Sequence, residues 1–222
     1  MKAISYAQAG QANVLLDTEI VKPAAGPRDL LVAVKAVSVN PVDALLRKAV
    51  EPSPGEQKVL GFDAAGIVES IGSEVTLFKV GDEVYYSGAL DRPGTNSEFH
   101  VVDERIVGRK PTTLSFADAA ALPLTTLTAW ELLFDRLAVP AGLNQSVDSL
   151  LVINGAGGVG SMLTQLARRL TSLNVIATAS RPETIEWVKK MGGLPMSAVK
   201  PSSKTRVSRS GCLLVAAVAQ RR

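Results

Sequence analysis

The sequence has very few of the side chains that build disulfide frameworks and clustered metal sites. Its one cysteine, Cys212, excludes a disulfide framework and a zinc site made of several cysteines. Its one histidine, His100, lies in the alternating stretch EFHVV, which predicts a strand residue rather than a catalytic acid. No apolar run approaches the length of a membrane span, and the N-terminal MKAISYAQAG lacks the apolar centre of a signal peptide. We therefore expect a globular protein with a cytoplasmic location and no membrane partner.

Acidic side chains are absent from the C-terminal end of the chain. Eight of the 24 Lys and Arg residues, and none of the 21 Asp and Glu residues, follow Glu186, so the net charge of +3 conceals an acidic body and a basic end. A basic end is compatible with an arm that binds nucleic acid or acidic membranes. It contains no aromatic residue after Trp187 and no recognisable binding module, so we expect no nucleic-acid partner.

The stretch LLVINGAGGVGSMLTQLARR, at residues 150–169, carries the clearest functional pattern. Its glycine-rich turn consists of Gly155, Ala156, Gly157, Gly158, Val159 and Gly160. An apolar run precedes these residues and apolar side chains recur at helical spacing after them, which predicts a turn between a strand and a helix. The first N–H groups of a helix have no intrahelical acceptor and the helix dipole favours negative charge, so we expect the turn to bind a pyrophosphate.

Each glycine has an expected part in that turn. Gly155 would permit the tight turn, Gly157 would let the backbone approach the phosphates, and Gly160 would let the helix pack closely on its strand. The alternative is a structural glycine turn without a ligand.

The next predicted strand, NVIATA at residues 174–179, ends at Ser180 and Arg181. In dinucleotide-binding folds an acidic side chain at this place binds the ribose of NAD, and a basic one accepts the extra phosphate of NADP. Ser180 and Arg181 offer donors and a permanent positive charge, so the sequence predicts NADPH rather than NADH. The same stretch also has the spacing of a capping box, with Ser180 and Glu183 before a predicted helix at 184–191.

The first 120 residues have a different pattern. Short segments rich in Val and Ile, such as LLVAVKAVSV and AAGIVESIG, are separated by Gly, Pro and Asp turns, which is typical of a small β-barrel or sandwich. Asn40 and Pro41 are predicted to begin a helix, as N-cap and first helical residue. From Ser115 onward, FADAAALPLTTLTAWELLFDRL is helical in pattern and leads to the glycine-rich turn. The sequence thus predicts an all-β half followed by an α/β half.

Five motifs stand out along the chain, and they are VSVNPVDALLR, LGFDAAGIVESIG, FKVGDEV, LPLTTLTAWELL and VINGAGGVGSMLTQLAR. Their order and approximate spacing resemble those of the medium-chain dehydrogenase/reductase superfamily. From Met1 to about Gly192 the chain resembles the zinc-free quinone oxidoreductase branch, also described as zinc-type alcohol dehydrogenase-like. The resemblance implies a GroES-like β-barrel catalytic domain at residues 1–123. It implies an incomplete Rossmann domain, a doubly wound parallel sheet that binds NADP, at 124–192.

The resemblance also bears on metal binding. Zinc alcohol dehydrogenases of this superfamily carry a cysteine at the position of Asn40 and a His-Glu pair at the positions of Phe62 and Asp63, and they usually add a lobe of four cysteines. Because thiolate and imidazole ligands are missing there, we expect no metal site. Asp63 is interpreted as a structural carboxylate in a turn.

The zinc-free branch passes hydride from NADPH to a quinone or to the β-carbon of an α,β-unsaturated carbonyl, so the resemblance implies a small-molecule quinone or enone substrate. By motif match, Asn40 would line the substrate side of the nicotinamide and Thr128 would contact its carboxamide. The alternatives are a helix cap for Asn40 and a buried helix hydroxyl for Thr128. Leu45 stands where several members have a tyrosine, which leaves Tyr85, Tyr86 or water as the proton source.

The family-like pattern stops at about Gly192. Residues 193–222 contain no acidic residue and no sustained period, so we predict a basic tail outside the family sequence, disordered or produced by a shifted reading frame. The alternative is a genuine short isoform with a disordered basic tail. A doubly wound sheet has about six strands, and this chain is expected to supply two of them, at 150–153 and 174–179.

Two function classes follow from these expectations. The first is an NADPH-dependent reductase of quinones or enones. The second is a non-catalytic fragment, or a binding or structural module, that is inactive because the Rossmann domain is truncated. An incomplete sheet exposes apolar faces and unpaired edges, so we expect weak or no NADPH binding by this chain. Full-length members are expected to be homo-oligomers.

Overall fold

A computed structural model of the chain describes residues 1–142, 148–197 and 216–219. The fold divides into two compact units, Met1–Leu124 and Thr125–Arg222, which we call the first unit and the second unit. Among the described residues, no helix is both long enough and apolar enough to cross a membrane.

The first unit is built from short strands. They are β1 (Lys2–Tyr6), β2 (Leu16–Glu19), β3 (Asp29–Ser38), β4 (Lys58–Val59), β5 (Asp63–Ile71), β6 (Glu83–Ser87), β7 (Phe99–Asp103) and β8 (Val107–Arg109). In β7, His100 and Val102 are buried while their neighbours are partly exposed. This period of two is expected where one face of a sheet covers a core.

Two antiparallel sheets organise these strands. One has five strands in the order β7-β3-β5-β6-β8, and the other has three in the order β2-β1-β4. The pairing of β3 with β5 is shifted between Leu31 and Val32 and again between Val34 and Ala36. Such bulges bend and twist a sheet, which curves it around an apolar core. The core residues are Leu30, Val32, Ala64, Val68, Val84, Tyr86 and Val102. The predicted all-β first half is confirmed.

Three helices accompany the strands up to the boundary between the units. They are α1 (Pro41–Ala49), α2 (Phe116–Ala120) and α3 (Pro123–Trp130), and α3 continues as π-helical turns over Glu131–Arg136. Asn40 is extended, with φ −115° and ψ 157°, and Pro41 is the first helical residue of α1, as predicted. The helical stretch predicted from Ser115 is confirmed, with a break before Pro123 because proline favours the start of a new helix.

The second unit contains a four-stranded sheet. Its elements are β9 (Ser149–Val152), α4 (Gly158–Leu170), β10 (Asn174–Ala179), α5 (Pro182–Lys190), β11 (Leu194–Ser197) and β12 (Ala216–Ala219). The strand order is β11-β10-β9-β12. The first three strands are parallel, and β12 is antiparallel to β9. Strand, helix and parallel strand alternate here as in a Rossmann fold.

The prediction of only two strands in this sheet is wrong. Leu194 pairs with Ile176 and begins a third parallel strand, and Ala216–Ala219 adds a fourth. Pro195 obscured β11 in the sequence, because proline is excluded from central strands but tolerated at a sheet edge. Of the predicted tail, 198–215 and 220–222 lie outside the described residues. That 193–222 is not native family sequence stays a prediction.

Candidate functional site

The glycine-rich turn lies between β9 and α4 and is tied to the end of β10. The amide N of Gly155 donates to the carbonyl O of Thr178 at 3.0 Å. The amide N of Asn154 donates to Oγ1 of Thr178, also at 3.0 Å. Asn154 has φ 60°, the left-handed region that a short polar side chain tolerates. The left-handed residue of the turn is therefore Asn154, one position before Gly155.

Packing within the protein itself requires two of the glycines. A Cβ atom at Gly155 would lie 2.5 Å from Cβ of Ala177, and one at Gly160 would lie 2.3 Å from the carbonyl O of Asn154. At Gly157 the nearest atom would be Nδ2 of Asn154 at 2.7 Å, and at Gly158 it would be Cγ2 of Thr125 at 3.0 Å, both side-chain atoms. Internal packing therefore explains glycine less well at these two positions than at Gly155 and Gly160, and close backbone approach to a ligand is the alternative reason.

The N-terminus of α4 has the chemistry of an anion site. The N–H groups of Gly158, Val159 and Gly160 form its first turn and have no acceptor within the helix. No acidic residue lies in that turn, so the positive end of the dipole of this 13-residue helix is not neutralised. Ala156 and Val159 pack against the apolar core, while Gly158 is exposed. The turn therefore fits a pyrophosphate, and binding of one stays a prediction.

Ser180 and Arg181 follow the last residue of β10, at the carboxyl end of the strand, and both are exposed. Nε of Arg181 lies 3.1 Å from Oε1 of Glu183 in an ion pair that is largely open to water. The N-cap of α5 is Arg181, whose N–H donates to Oγ1 of Thr184 at 3.1 Å. The capping box predicted from Ser180 and Glu183 is wrong, because Pro182 occupies the first helical position and moves the helix start by one residue.

In the first unit, Asn40 is held by two buried carboxylates. Nδ2 of Asn40 donates to Oδ2 of Asp63 at 2.9 Å, and its main-chain N donates to Oδ2 of Asp43 at 2.7 Å. The exposed fractions are 7% for Asn40, 5% for Asp43 and 0% for Asp63. Asn40 is both the N-cap of α1 and the predicted site residue, so its helix-cap interpretation is confirmed and its contact with a ligand stays a prediction.

Asp63 also contacts the start of α3. Its Oδ1 accepts a hydrogen bond from the main-chain N of Leu124 at 2.8 Å. Burial raises the pKa of Asp63 to about 6; the hydrogen bonds from Asn40 and Leu124 lower it, and the nearby charge of Asp43 raises it. Burial also raises the pKa of Asp43, whose Oδ1 is buried without a hydrogen-bond partner among the described residues. Asp63 is the first residue of β5, so its placement in a turn was wrong.

The residues at the positions of the zinc ligands do not fit zinc. Asn40, Phe62 and Asp63 supply no thiolate or imidazole, and both carboxylate oxygens of Asp63 already accept N–H groups. Over residues 1–142 and 148–197, no group of three His, Cys, Asp or Glu side chains is placed to hold a metal ion. Zinc-free chemistry stays a prediction that this set of donors supports.

The remaining candidate residues divide into exposed and buried ones. Thr128 is exposed on α3, so its interpretation as a buried hydroxyl is wrong. The hydroxyl of Tyr86 is 3.1 Å from Nδ1 of His100, whose Nε2 is 3.0 Å from the carbonyl O of Pro93. Burial raises the pKa of Tyr86 and lowers that of His100. His100 is a buried strand residue as predicted, and Tyr86 is unsuited to donate a proton to a substrate. Tyr85 is half-buried.

Asp43 and Leu124 belong to the hydrogen-bonded group around Asp63, although neither is among the residues predicted for the site. Asp43 follows Asn40 by three residues, which is the spacing of a capping box, so its contact with the Asn40 main chain could have been found. Leu124 contributes a main-chain N–H, which no side-chain pattern marks.

Known proteins resemble both units. Residues 26–123 match the family of the alcohol dehydrogenase GroES-like domain. A zinc-type alcohol dehydrogenase-like protein of Staphylococcus aureus (strain Mu50) is 47% identical over 184 residues, which cover 82% of this chain and 54% of the relative. The chain thus carries an alcohol dehydrogenase GroES-like domain and is similar to zinc-type alcohol dehydrogenase-like proteins. A further relative, the NADPH-dependent alkenal/one oxidoreductase of Arabidopsis thaliana, is 40% identical over 204 residues, covering 86% of this chain and 50% of the relative.

Solved structures agree with this assignment. A candidate zinc-dependent alcohol dehydrogenase of Rhizobium etli CFN 42 superposes with a TM-score of 0.82 at 57% identity, covering 87% of this chain and 57% of that one. Escherichia coli quinone oxidoreductase, solved in complex with NADPH, superposes with a TM-score of 0.75 at 29% identity, covering 89% of this chain and 58% of that one. The fold is therefore a GroES-like domain followed by part of a Rossmann-like parallel sheet. The chain spans about half the length of the curated relatives it matches.

Proposed function

We propose that this chain carries the catalytic and cofactor-binding regions of an NADPH-dependent oxidoreductase that reduces a quinone or an α,β-unsaturated carbonyl without zinc. The observation that carries the proposal is the turn from β9 to α4, where a helix N-terminus free of acidic residues follows a glycine-rich turn anchored to Thr178. We assign residues 1–123 to the catalytic domain and 124–192 to the cofactor domain.

The choice of NADPH over NADH is supported by the end of β10. The side chain of Arg181 is 71% exposed and forms an ion pair with the similarly exposed Glu183, so the guanidinium can turn to a ribose 2′-phosphate at low cost. Ser180 adds a hydroxyl beside it. The relatives from Arabidopsis thaliana and Escherichia coli are named for NADPH or solved with it.

When bound, NADPH supplies the hydride, and quinones and enones accept hydride without a metal to polarise them. This chain would hold the cofactor and the acceptor in position and exclude water. Asn40 is proposed to line the substrate side of the nicotinamide and Thr128 to contact the carboxamide. The two carboxylates that hold Asn40 fix its orientation, which is the property that a positioning group requires.

The second candidate function is a non-catalytic binding module or inactive fragment. One observation favours it: the chain covers 54% of the length of the Staphylococcus aureus relative. The cytoplasmic location and the oligomeric state stay predictions for either candidate.

A titration of the purified 222-residue chain with NADPH, followed by cofactor fluorescence, tests the proposal together with an assay of NADPH oxidation on a panel of quinones and enones. We expect binding that is weak but saturable, because the sheet is incomplete, and any oxidation should be unchanged after dialysis against EDTA. Binding without oxidation of any acceptor would favour the module over the enzyme. Absence of binding by a folded chain would overturn both the cofactor assignment and the reductase proposal.

A further inference from the structure

We propose that Asp63 is a positioning residue whose two carboxylate oxygens hold the side-chain amide of Asn40 and the first turn of α3 at the same time. Protonation of Asp63 then breaks one of these two hydrogen bonds.

Each carboxylate oxygen of Asp63 accepts a hydrogen bond from a different donor. Oδ2 accepts from Nδ2 of Asn40 at 2.9 Å, and Oδ1 accepts from the main-chain N of Leu124 at 2.8 Å. Leu124 is the second residue of α3, so this bond caps the helix from a distant strand. The carboxylate therefore joins the residue before α1 to the start of α3, although the two lie far apart in the sequence.

An ionised carboxylate is the side chain that this arrangement requires. Both partners are N–H donors, so both oxygens of residue 63 must accept. A carboxamide or a protonated carboxyl offers one acceptor and one donor, and its donor would face an N–H group. Protonation of Asp63 therefore lengthens or breaks one of the two hydrogen bonds.

The surroundings of Asp63 raise its pKa into a range that a pH titration can reach. Its side chain is buried, and the titratable group that faces it is Asp43 on α1, a second carboxylate. Neither carboxylate forms an ion pair with a Lys, Arg or His side chain in the part of the chain that the structure describes. Burial, with a smaller contribution from Asp43, raises the pKa of Asp63 to about 6.

The ionised side chain does not serve stability. The pKa of Asp63 in the folded protein is above its ordinary value of 3.8, so the folded protein binds this proton more readily than the unfolded chain does. Its contribution to stability is complete below the ordinary value and is lost as the pH rises through about 6. A buried carboxylate that costs stability at neutral pH is better explained by the two groups that it positions.

The role of Asn40 toward a ligand rests on the proposed function, whereas the two hydrogen bonds do not. A measurement that does not depend on enzyme activity therefore distinguishes failure of this inference from failure of the reductase proposal. The primary experiment is an NMR pH titration of the wild-type chain, which follows the side-chain amide of Asn40 and the main-chain amide of Leu124. We expect both signals to shift together with one midpoint near 6. Separate midpoints, or no shift between about pH 5 and 8, would overturn the proposal.

Exchange of the two side chains provides the second test. Asn40→Asp alone places two carboxylates in contact, so it should lower Tm by about 5 °C at neutral pH. Asp63→Asn alone removes a buried charge but opposes two donors, so it should shift the main-chain amide signal of Leu124. The double variant restores a donor facing an acceptor and leaves the amide oxygen at position 63 for Leu124. We expect it to recover most of the loss and to abolish the shared titration. The matched control is Asp17→Asn, which removes an equal charge from an exposed strand residue and should leave the titration unchanged. A double variant that stays as unstable as Asn40→Asp alone would overturn the proposal.

Discussion

The first unit buries charged side chains, whereas the described part of the second unit buries apolar groups and hydroxyls. In the first unit, Asp43, Asp63, Glu104 and Lys110 are all less than a tenth exposed. Each has hydrogen-bond partners from distant segments or from the main chain. Glu104, for example, accepts from the main-chain N of Thr76 at 2.9 Å.

In the second unit the interior is simpler. The buried polar side chains among its described residues are Ser161, Thr164 and Thr171. The ion pairs that Arg181 forms with Glu183 and Lys189 forms with Glu186 lie at the exposed surface. Its core is formed by apolar side chains from the sheet and from the helices that pack against it.

The difference concerns where each unit is sensitive to substitution. Removal of one partner leaves the other polar group buried and unsatisfied. Replacement of a single buried polar residue should therefore lower the stability of the first unit strongly. An apolar interior is more tolerant, but the parallel sheet of the second unit leaves Leu194 and Met196 exposed on its edge strand. Function in the second unit should therefore depend on surface groups and on backbone geometry at the glycine-rich turn.

The largest expected effect is at Glu104. This carboxylate is 1% exposed and accepts from the main-chain N atoms of Thr76 and Leu77 at 2.9 and 2.8 Å. Glu104→Ala leaves these groups without their acceptor, so the free energy of unfolding should fall by about 3 kcal/mol. Urea denaturation measures the change. The control, Glu186→Ala, removes an exposed carboxylate from the second unit and should have little effect. Equal losses would contradict the comparison between the units.

Arg181→Ala should separate cofactor binding from stability in the second unit. Loss of a charge-assisted contact to a 2′-phosphate should raise the Kd for NADPH by about 10- to 100-fold and leave the Kd for NADH unchanged. Because Arg181 is exposed, Tm should not change. Fluorescence titrations with both cofactors provide the measurement, and Lys189→Ala, which removes an exposed cation from α5, is the control. Equal weakening of both cofactors would refute the assignment of Arg181.

Two alanine substitutions distinguish packing from ligand contact at the glycine-rich turn. Gly160→Ala forces a Cβ against the carbonyl O of Asn154, so it should reduce the free energy of unfolding by about 1–3 kcal/mol. Gly157→Ala meets a side-chain atom of Asn154 before any backbone atom, so it should change stability by less than Gly160→Ala does while weakening NADPH binding by about tenfold or more. Thermal melts and NADPH titrations of both variants test this. A Gly157→Ala variant that binds NADPH normally would favour the structural turn without a ligand.

Local pattern and long-range contact differ in how well the sequence predicts them. The strand NVIATA was predicted with the bounds that the structure shows for β10, because its apolar residues and flanking polar ones mark it locally. The start of α1 was predicted because an N-cap and a proline are local signals. The bond from Leu124 to Asp63 joins residues 61 positions apart through a main-chain donor, so no local pattern reveals it. The same limit hid β11, whose strand conformation depends on pairing with β10.

The smallest expected effect concerns the edge of the second sheet. Met196 is 41% exposed on β11, which pairs with β10 alone among the described strands. An exposed apolar edge strand is a site for intermolecular pairing, and lysine at an edge opposes it. Met196→Lys should therefore reduce self-association, measured by static light scattering against concentration, by about twofold, with little change in Tm. Val21→Lys adds the same charge at a residue of the first unit that is 90% exposed and lies outside the strands, so it should have a weaker effect. If both variants reduce scattering equally, net charge rather than the β11 edge controls association, and the two units do not differ in this respect.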